Sequence, residues 1–283
     1  MEIKKIGVVG CGLMGAGIVE NCARSGFEVI VREINDDLLN KGLARIGASM
    51  DKAVTKGKLE AQERDAARDR INSTTELKGL ADSDLVIEAV VENMGLKKEI
   101  FAELDSICRP EAILASNTSS LSITEIASAT MRPEKVVGLH FFNPVPVMPL
   151  LEIVQALLTD ENTMKAAQSM GDALGKTTIV ARDNPGFIVN LLLIPFLLDS
   201  VRALESGKGT KEDIDTGIKL GLAHPMGPLT LADFVGLDTA LFVADAMYDE
   251  FKDARYAAPP LLRRMVMAGR LGRKSGAGFY DYS

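Results

Sequence analysis

The segment Gly10-Cys-Gly12-Leu-Met-Gly15 limits what the first part of this chain can become. It follows the β-branched run Ile6-Gly-Val-Val and opens directly into helical sequence, so it reads as a strand-to-helix turn. Glu33 follows about 20 residues later, at the end of the next strand-like run. In such a turn Gly10 permits the tight bend, Gly12 lets a pyrophosphate approach the backbone, and Gly15 allows close helix–strand packing. The phosphates then rest on unpaired amides at a helix N-terminus, where the dipole favours negative charge. Gly10, Gly12, Leu13, Met14 and Gly15 are therefore candidate cofactor contacts, with an α/β turn that holds no nucleotide as the plainer alternative. Glu33 can accept hydrogen bonds from ribose hydroxyls, and its charge repels a 2′-phosphate, so NAD is expected. Arg32 beside it is able to meet such a phosphate, which keeps NADP open.

Around this turn the first two-thirds of the chain alternate strand-like and helix-like runs, the pattern of βαβ units about a parallel sheet. Strands are expected at Lys5–Val9, Glu28–Arg32, Leu85–Glu88, Ile113–Ser116, Val136–His140 and Leu151–Ile153. Helices are expected at Met14–Ser25, Asp36–Thr55, Glu60–Asp69, Lys97–Ser106, Ile123–Ala127 and Glu161–Leu174. After Thr177–Ala181 only helical periodicity remains, broken by turn signals such as Glu205-Ser-Gly-Lys-Gly and His224-Pro. With 283 residues, 47% of them hydrophobic, the chain has apolar material for two ordinary domains. The expectation is a Rossmann-type dinucleotide-binding α/β domain over residues 1–184, followed by an all-α domain over residues 185–283. The apolar stretch Ile188–Leu198 contains Asn190 and Pro195 and is about half the length a bilayer span requires, so it reads as a buried helix. A helix that apolar has more faces to bury than one small domain offers, which points to a homodimer.

Candidate chemistry lies mid-chain. His140 closes an apolar strand, before the proline-rich Phe-Phe-Asn-Pro-Val-Pro-Val-Met-Pro, at the strand end where open α/β sheets bind ligands. Deprotonating a secondary alcohol needs a base that titrates near neutrality, and histidine supplies one; a core histidine bonded to a carbonyl is the competing reading. Glu152 is a lone acid in the apolar run Leu151-Glu-Ile-Val and needs a partner if buried; it either orients His140 or faces solvent. Asn117-Thr-Ser119-Ser120 follows another strand, where hydroxyls hold a substrate oxygen or the nicotinamide ribose, or else cap a helix, as Ser122 with Glu125 illustrates. Lys52 and Lys56 share a helix face at i,i+4 spacing, suited to phosphates or to plain solvation.

The runs Ser116-Asn-Thr-Ser-Ser-Leu, His140-Phe-Phe-Asn-Pro-Val-Pro-Val-Met, Asn184-Pro-Gly-Phe-Ile-Val-Asn190, Pro225-Met-Gly-Pro228 and Gly272-Arg-Lys-Ser-Gly-Ala-Gly-Phe-Tyr280 resemble those of 3-hydroxyacyl-CoA dehydrogenases, in particular the short stand-alone 3-hydroxybutyryl-CoA dehydrogenases. The resemblance spans essentially the whole chain. It implies that His140 is the general base and that Glu152 orients it, while hydride passes from C3 of the substrate to the nicotinamide. It further implies that Ser119 and Asn190 hold the reacting oxygen or the thioester carbonyl. Glu33, Glu92, Lys97, Ser119, Asn143 and Lys274 match cofactor-contacting positions, and Ser49 and Lys56 match positions that touch coenzyme A; Lys52 is a candidate there by its i,i+4 spacing to Lys56. Two departures stand out: Leu191 occupies a position where relatives often carry arginine, and Glu33 one where many carry aspartate.

Two other readings remain at this point. One is a dehydrogenase of a free hydroxy or sugar acid on the same fold; Ser49, Lys52 and Lys56 speak against it. The other is a crystallin-like NAD-binding protein without turnover; the intact set Ser119, His140, Glu152 and Asn190 speaks against that. A net charge of −7 without a basic run argues against nucleic-acid binding. Three cysteines without a CxxC pair fit a reducing compartment, suggest no metal site, and with the lack of a signal sequence or membrane span lead to an expectation of the cytoplasm.

Overall fold

The computed structural model describes residues 2–282; Met1 and Ser283, the outer limits of the two expected domains, lie outside the described residues. The chain separates into two compact units, Met1–Asp183 and Asn184–Ser283.

The first unit is built on one eight-stranded sheet. In chain order its elements are β1 (Lys5–Val9), α1 (Leu13–Arg24), β2 (Glu28–Arg32), α2 (Asp36–Thr55), α3 (Ala61–Asp69), β3 (Ile71–Thr74), β4 (Leu85–Glu88), α4 (Met94–Ile107), β5 (Ile113–Ser116), α5 (Ile123–Ala127), β6 (Val136–Phe141), β7 (Leu150–Gln155), α6 (Glu161–Ala173) and β8 (Thr177–Arg182). The strands lie in the order β3-β2-β1-β4-β5-β6-β7-β8. Strands β4, β5 and β6 are buried at every residue, which explains their mostly apolar sequence: both faces of the sheet are covered, and the polar residues Glu88, Ser116 and His140 fall at or near the carboxyl ends. Helix starts are marked by side chains that accept otherwise unpaired amides. Asn35 accepts from Leu38 at 2.9 Å, Asn93 from Leu96 at 2.9 Å, and Asp160 from Thr163 at 2.6 Å.

Three features depart from the sequence expectation. β3, Ile-Asn-Ser-Thr, is an edge strand with exposed polar residues and carries no apolar run by which to be recognised. α4 begins before Lys97, at the Asn93 cap. The third departure matters most: the sheet is not parallel throughout, because β7 runs antiparallel to β6. Residues 142–149 are too few for a crossover connection, which takes a dozen residues or more, so the chain turns back on itself.

The second unit is helical: α7 (Val189–Glu205), α8 (Lys211–Gly221), α9 (Pro228–Val235), α10 (Leu237–Phe251) and α11 (Pro260–Met267). Ile194, Leu197, Leu198 and Val201 of α7 pack with Leu229, Leu237, Ala244, Met247 and Leu262 in one apolar cluster. Only part of α7 is buried, since Leu192 is 67% exposed. Two buried acids hold the connections. Asp215 of α8 accepts from the Leu229 and Thr230 amides at 2.8 and 2.9 Å, satisfying the first turn of α9. Asp233 accepts from the Phe279 and Tyr280 amides at 2.8 and 2.9 Å, and a side chain at Gly278 would begin 1.9 Å from its Oδ1. The glycine-rich run Gly272–Tyr280 is thus the backbone shape that wraps Asp233. No helix among the described residues is long and apolar enough to cross a membrane.

Within the first unit, Asp84 ties β1 to β4. Its Oδ2 accepts from the Lys4 and Lys5 amides at 2.8 and 2.9 Å and its Oδ1 from Arg109 at 2.7 Å. Burial pushes this carboxyl up, but the Lys5 and Lys4 amides and the Arg109 guanidinium outweigh burial and hold it below its ordinary value. A carboxyl lowered on folding stabilises above its unfolded pKa of about 4, and that contribution is lost as pH falls through the folded value. Asp84→Asn is expected to lose about 1 kcal/mol at neutral pH, a modest amount because Arg109 is half exposed. Urea unfolding of both proteins should show this difference shrinking below about pH 4.

Candidate active site

β1 delivers the chain to Gly10, whose φ of +95° suits glycine, and α1 starts after Gly12. A Cβ on Gly15 would lie 1.9 Å from the Gly10 carbonyl oxygen, whereas one on Gly12 would meet nothing within 4 Å. The first and last glycines are therefore in close contact, and the middle of the loop is open to a ligand. The first turn of α1 carries no acidic residue that would compete for its unpaired amides. Beside them Glu33 is fixed by two amides, Oε1 accepting from Cys11 and Oε2 from Ile34, each at 2.8 Å. The neighbouring Arg32 directs its Nε to the Thr75 carbonyl at 3.2 Å. An open glycine, free helix-terminal amides and a fixed acceptor for ribose hydroxyls together fit an adenine dinucleotide without a 2′-phosphate. Burial pushes the Cys11 thiol up to about 11, so this loop cysteine is a packing residue.

His140 lies one residue before the end of β6, and the antiparallel return of β7 sets Glu152 directly across from it. Both are buried, at 4% and 0% exposure, which removes the surface-facing alternative for Glu152. His140 Nδ1 is 2.6 Å from Glu152 Oε2, and its Nε2 is 3.1 Å from Ser119 Oγ. A carboxylate oxygen accepts, so Nδ1 is the donor, and Nε2 faces the Ser119 hydroxyl. The Phe142 ring packs against the imidazole at 4.6 Å between centroids. Asn117 accepts from the Phe141 amide at 2.9 Å, which links the end of β6 to the segment that carries Ser119.

That segment is held by a buried charge cluster. Glu92 accepts from the Ser119 amide at 3.1 Å and from the Thr118 hydroxyl, while its other oxygen meets Lys97 at 3.2 Å. Lys97 is 1% exposed and also meets both oxygens of Glu88, at 2.7 and 2.9 Å. Glu88 is completed by the Val90 amide at 2.7 Å and the Ser116 hydroxyl at 2.6 Å. The ammonium of Lys97, a position matched to the cofactor, is engaged by two carboxylates, one of which, Glu92, holds the Ser119 segment. Glu88 and the side chain of Asn117 received no role from the sequence, although Glu88 ends β4 at the edge where ligands bind.

Ser49 of α2 and the exposed Asn143 line one small pocket of about 100 Å³ together with Leu13, Arg45 and Pro146. Lys52 in the last turn of α2 and Lys56 at its cap are exposed and form no ion pair among the described residues. In the second unit, Asn190 is half-buried in the first turn of α7, and Leu191 packs onto the helical apolar cluster. The Lys274 ammonium meets Asp238 at 2.6 Å.

Residues 5–184 match the family model of the NAD-binding domain of 3-hydroxyacyl-CoA dehydrogenase, and residues 186–282 match that of its C-terminal domain. A 3-hydroxybutyryl-CoA dehydrogenase of Mycobacterium tuberculosis is 51% identical over 282 residues, covering 99% of each chain. One of Clostridioides difficile is 45% identical over 279 residues, again covering 99% of each. Among solved structures, FadB2 of Mycobacterium tuberculosis matches with a TM-score of 0.98 at 51% identity, over 100% of both chains. The (S)-3-hydroxybutyryl-CoA dehydrogenase PaaH1 of Ralstonia eutropha matches at 0.95 and 44%, also over 100% of both. The chain belongs to the 3-hydroxyacyl-CoA dehydrogenase family, an α/β NAD-binding region followed by the family's helical C-terminal domain.

Proposed function

We propose that this protein interconverts a short (S)-3-hydroxyacyl-CoA, 3-hydroxybutyryl-CoA in the first instance, and the corresponding 3-oxoacyl-CoA, with NAD as redox partner. The observation that carries this reading is the buried Glu152–His140–Ser119 chain, which sets Nε2 of the ring beside a hydroxyl at the carboxyl edge of the sheet. The names of the full-length relatives support the acyl-CoA substrate and its short chain.

Bound NAD supplies the acceptor for the hydride that leaves C3. His140 Nε2 takes the proton of the C3 hydroxyl as the carbonyl forms, so the substrate loses one hydride and one proton. Glu152 stabilises the positive charge that the ring acquires and keeps Nε2 turned towards the substrate. The Ser119 hydroxyl donates to the C3 oxygen while charge is on it, held for that task by Glu92, Thr118 and Lys97. In the reductive direction His140 returns the proton. Asn190 is assigned to the reacting oxygen or the thioester carbonyl, Asn143 and Lys274 to the cofactor, and Ser49, Lys52 and Lys56 to coenzyme A, whose phosphates suit unpaired lysines.

The first test is the fall in absorbance at 340 nm with acetoacetyl-CoA. Oxidation of NADH well ahead of NADPH is expected; inertness towards both would shift the assignment to a free-acid dehydrogenase or a non-catalytic binder. His140→Ala should abolish turnover and leave NADH affinity intact. Glu152→Gln should lower kcat by roughly 10²- to 10⁴-fold, the range found when the orienting acid of such a pair is neutralised. Loss of NADH binding in either variant would make the pair structural.

The helical unit leaves Leu192, Leu220, Phe242 and Met267 exposed, and these are assigned to a homodimer contact. Sedimentation at micromolar concentration should give a dimer, and a monomer alone would refute the assignment.

A further inference from the structure

Of the two carboxylates that enclose the Lys97 ammonium, only one is explained by the placement of Ser119. Glu92 accepts from the Thr118 hydroxyl and from the Ser119 amide. Glu88 reaches neither. It is fully buried, takes the Lys97 ammonium at 2.7 and 2.9 Å, and accepts from the Val90 amide and the Ser116 hydroxyl. A glutamine accepts from an amide and a hydroxyl just as well, without the cost of burying a second anion. Two carboxylates here share one ammonium, and neither forms another ion pair among the described residues, so the cluster carries one net negative charge. The start of α4 at its Asn93 cap offsets about half a charge at most.

The place of this charge gives it a use. A dinucleotide crosses the carboxyl edge of the sheet where the strand order reverses, here between β1 and β4. Glu33, just after β2, marks the adenosine side, which leaves the nicotinamide side to the ends of β4 and β5, where Glu88 and Ser116 sit. One residue spans the distance from the cluster to the reacting nitrogen: the Ser119 amide is 3.1 Å from Glu92, and the Ser119 hydroxyl is 3.1 Å from His140 Nε2. The reaction assigned above keeps one positive charge at this centre, on the oxidised nicotinamide before hydride leaves C3 and on the His140 ring once it has taken the proton. In an interior with little water, a fixed anion stabilises such a cation more than it would in solvent.

We propose that Glu88 is the buried counter-charge of the reacting centre: it leaves the cluster one charge negative and so favours the oxidised, cationic form of the cofactor over the neutral, reduced form. The assignment rests on the NAD-dependent reading of the site. It separates the two acids by task, Glu92 holding the Ser119 segment and Glu88 setting the charge beneath it.

The test is a ratio, the Kd for NADH over the Kd for NAD⁺, each measured by calorimetric titration without acyl-CoA. Loss of shape or of a direct contact weakens both forms alike and leaves the ratio in place, whereas a change of charge shifts it. Glu88→Gln makes the cluster neutral and should lower the ratio about tenfold, the effect of one unit charge across roughly 10 Å of protein. Glu88→Met, which also removes the acceptor, should lower it equally, and either variant suffices if the other does not fold. Adding Lys97→Met to Glu88→Gln restores one net negative charge and should bring the ratio back near the parent value, although more native contacts are lost. A ratio unmoved by the Glu88 variants, or one that stays low in the double variant, would overturn the proposal. Failure of the parent protein to bind either form would overturn the NAD-dependent reading beneath it.

Discussion

The hydrogen bond between His140 and Glu152 is short and fully enclosed, and it exists only because β7 reverses the direction of the sheet. A parallel crossover after β6 would have carried the chain through a helix and returned it at the other edge of the sheet, with a different register. The brief loop 142–149 instead folds β7 back so that residue 152 lies opposite residue 140. One stretch of chain thereby supplies the ring, the acid that orients it, and the loop that carries Asn143. The pleat does the rest: a shift of one residue would turn Glu152 to the opposite face and leave both polar groups without each other.

Around that bond the protein places charge inside and satisfies it. Glu88, Lys97 and Glu92 form a buried cluster in which one ammonium serves two carboxylates, and the outer carboxylate grips the backbone and hydroxyls next to Ser119. Removing one partner of such a cluster leaves uncompensated charge and costs about 3–5 kcal/mol, so its worth lies in fixing one geometry. Asp215 and Asp233 repeat the device in the helical unit, each accepting backbone amides from a distant segment. The two units thus share a habit: buried acids anchor turns that packing alone would leave loose.

Much of this was legible in the amino-acid order. β1, β2, β4 and β5 were bounded correctly because each is a compact apolar run between polar punctuation, and the glycine loop announced itself through spacing and context. What escaped notice had physical causes. β3 lies at the sheet edge and needs no apolar signature. The direction of β7 is invisible to periodicity, since parallel and antiparallel strands alternate alike; only the length of loop 142–149 carried the information. The ion pair of Lys97 with Glu88 joins residues on different elements, and neither periodicity nor spacing announces it. The runs Gly272–Tyr280 and Asp233 are distant in sequence, so their mutual fit emerges only in the folded unit.

The central claim is that Glu152 fixes a proton of His140 on Nδ1 and makes Nε2 the nitrogen that takes the substrate's proton. Nitrogen-15 NMR of the ring in specifically labelled protein reads this directly. The account predicts a protonated Nδ1 and an unprotonated Nε2 at neutral pH, with that preference lost in Glu152→Gln. A proton resident on Nε2 in the parent protein would contradict it.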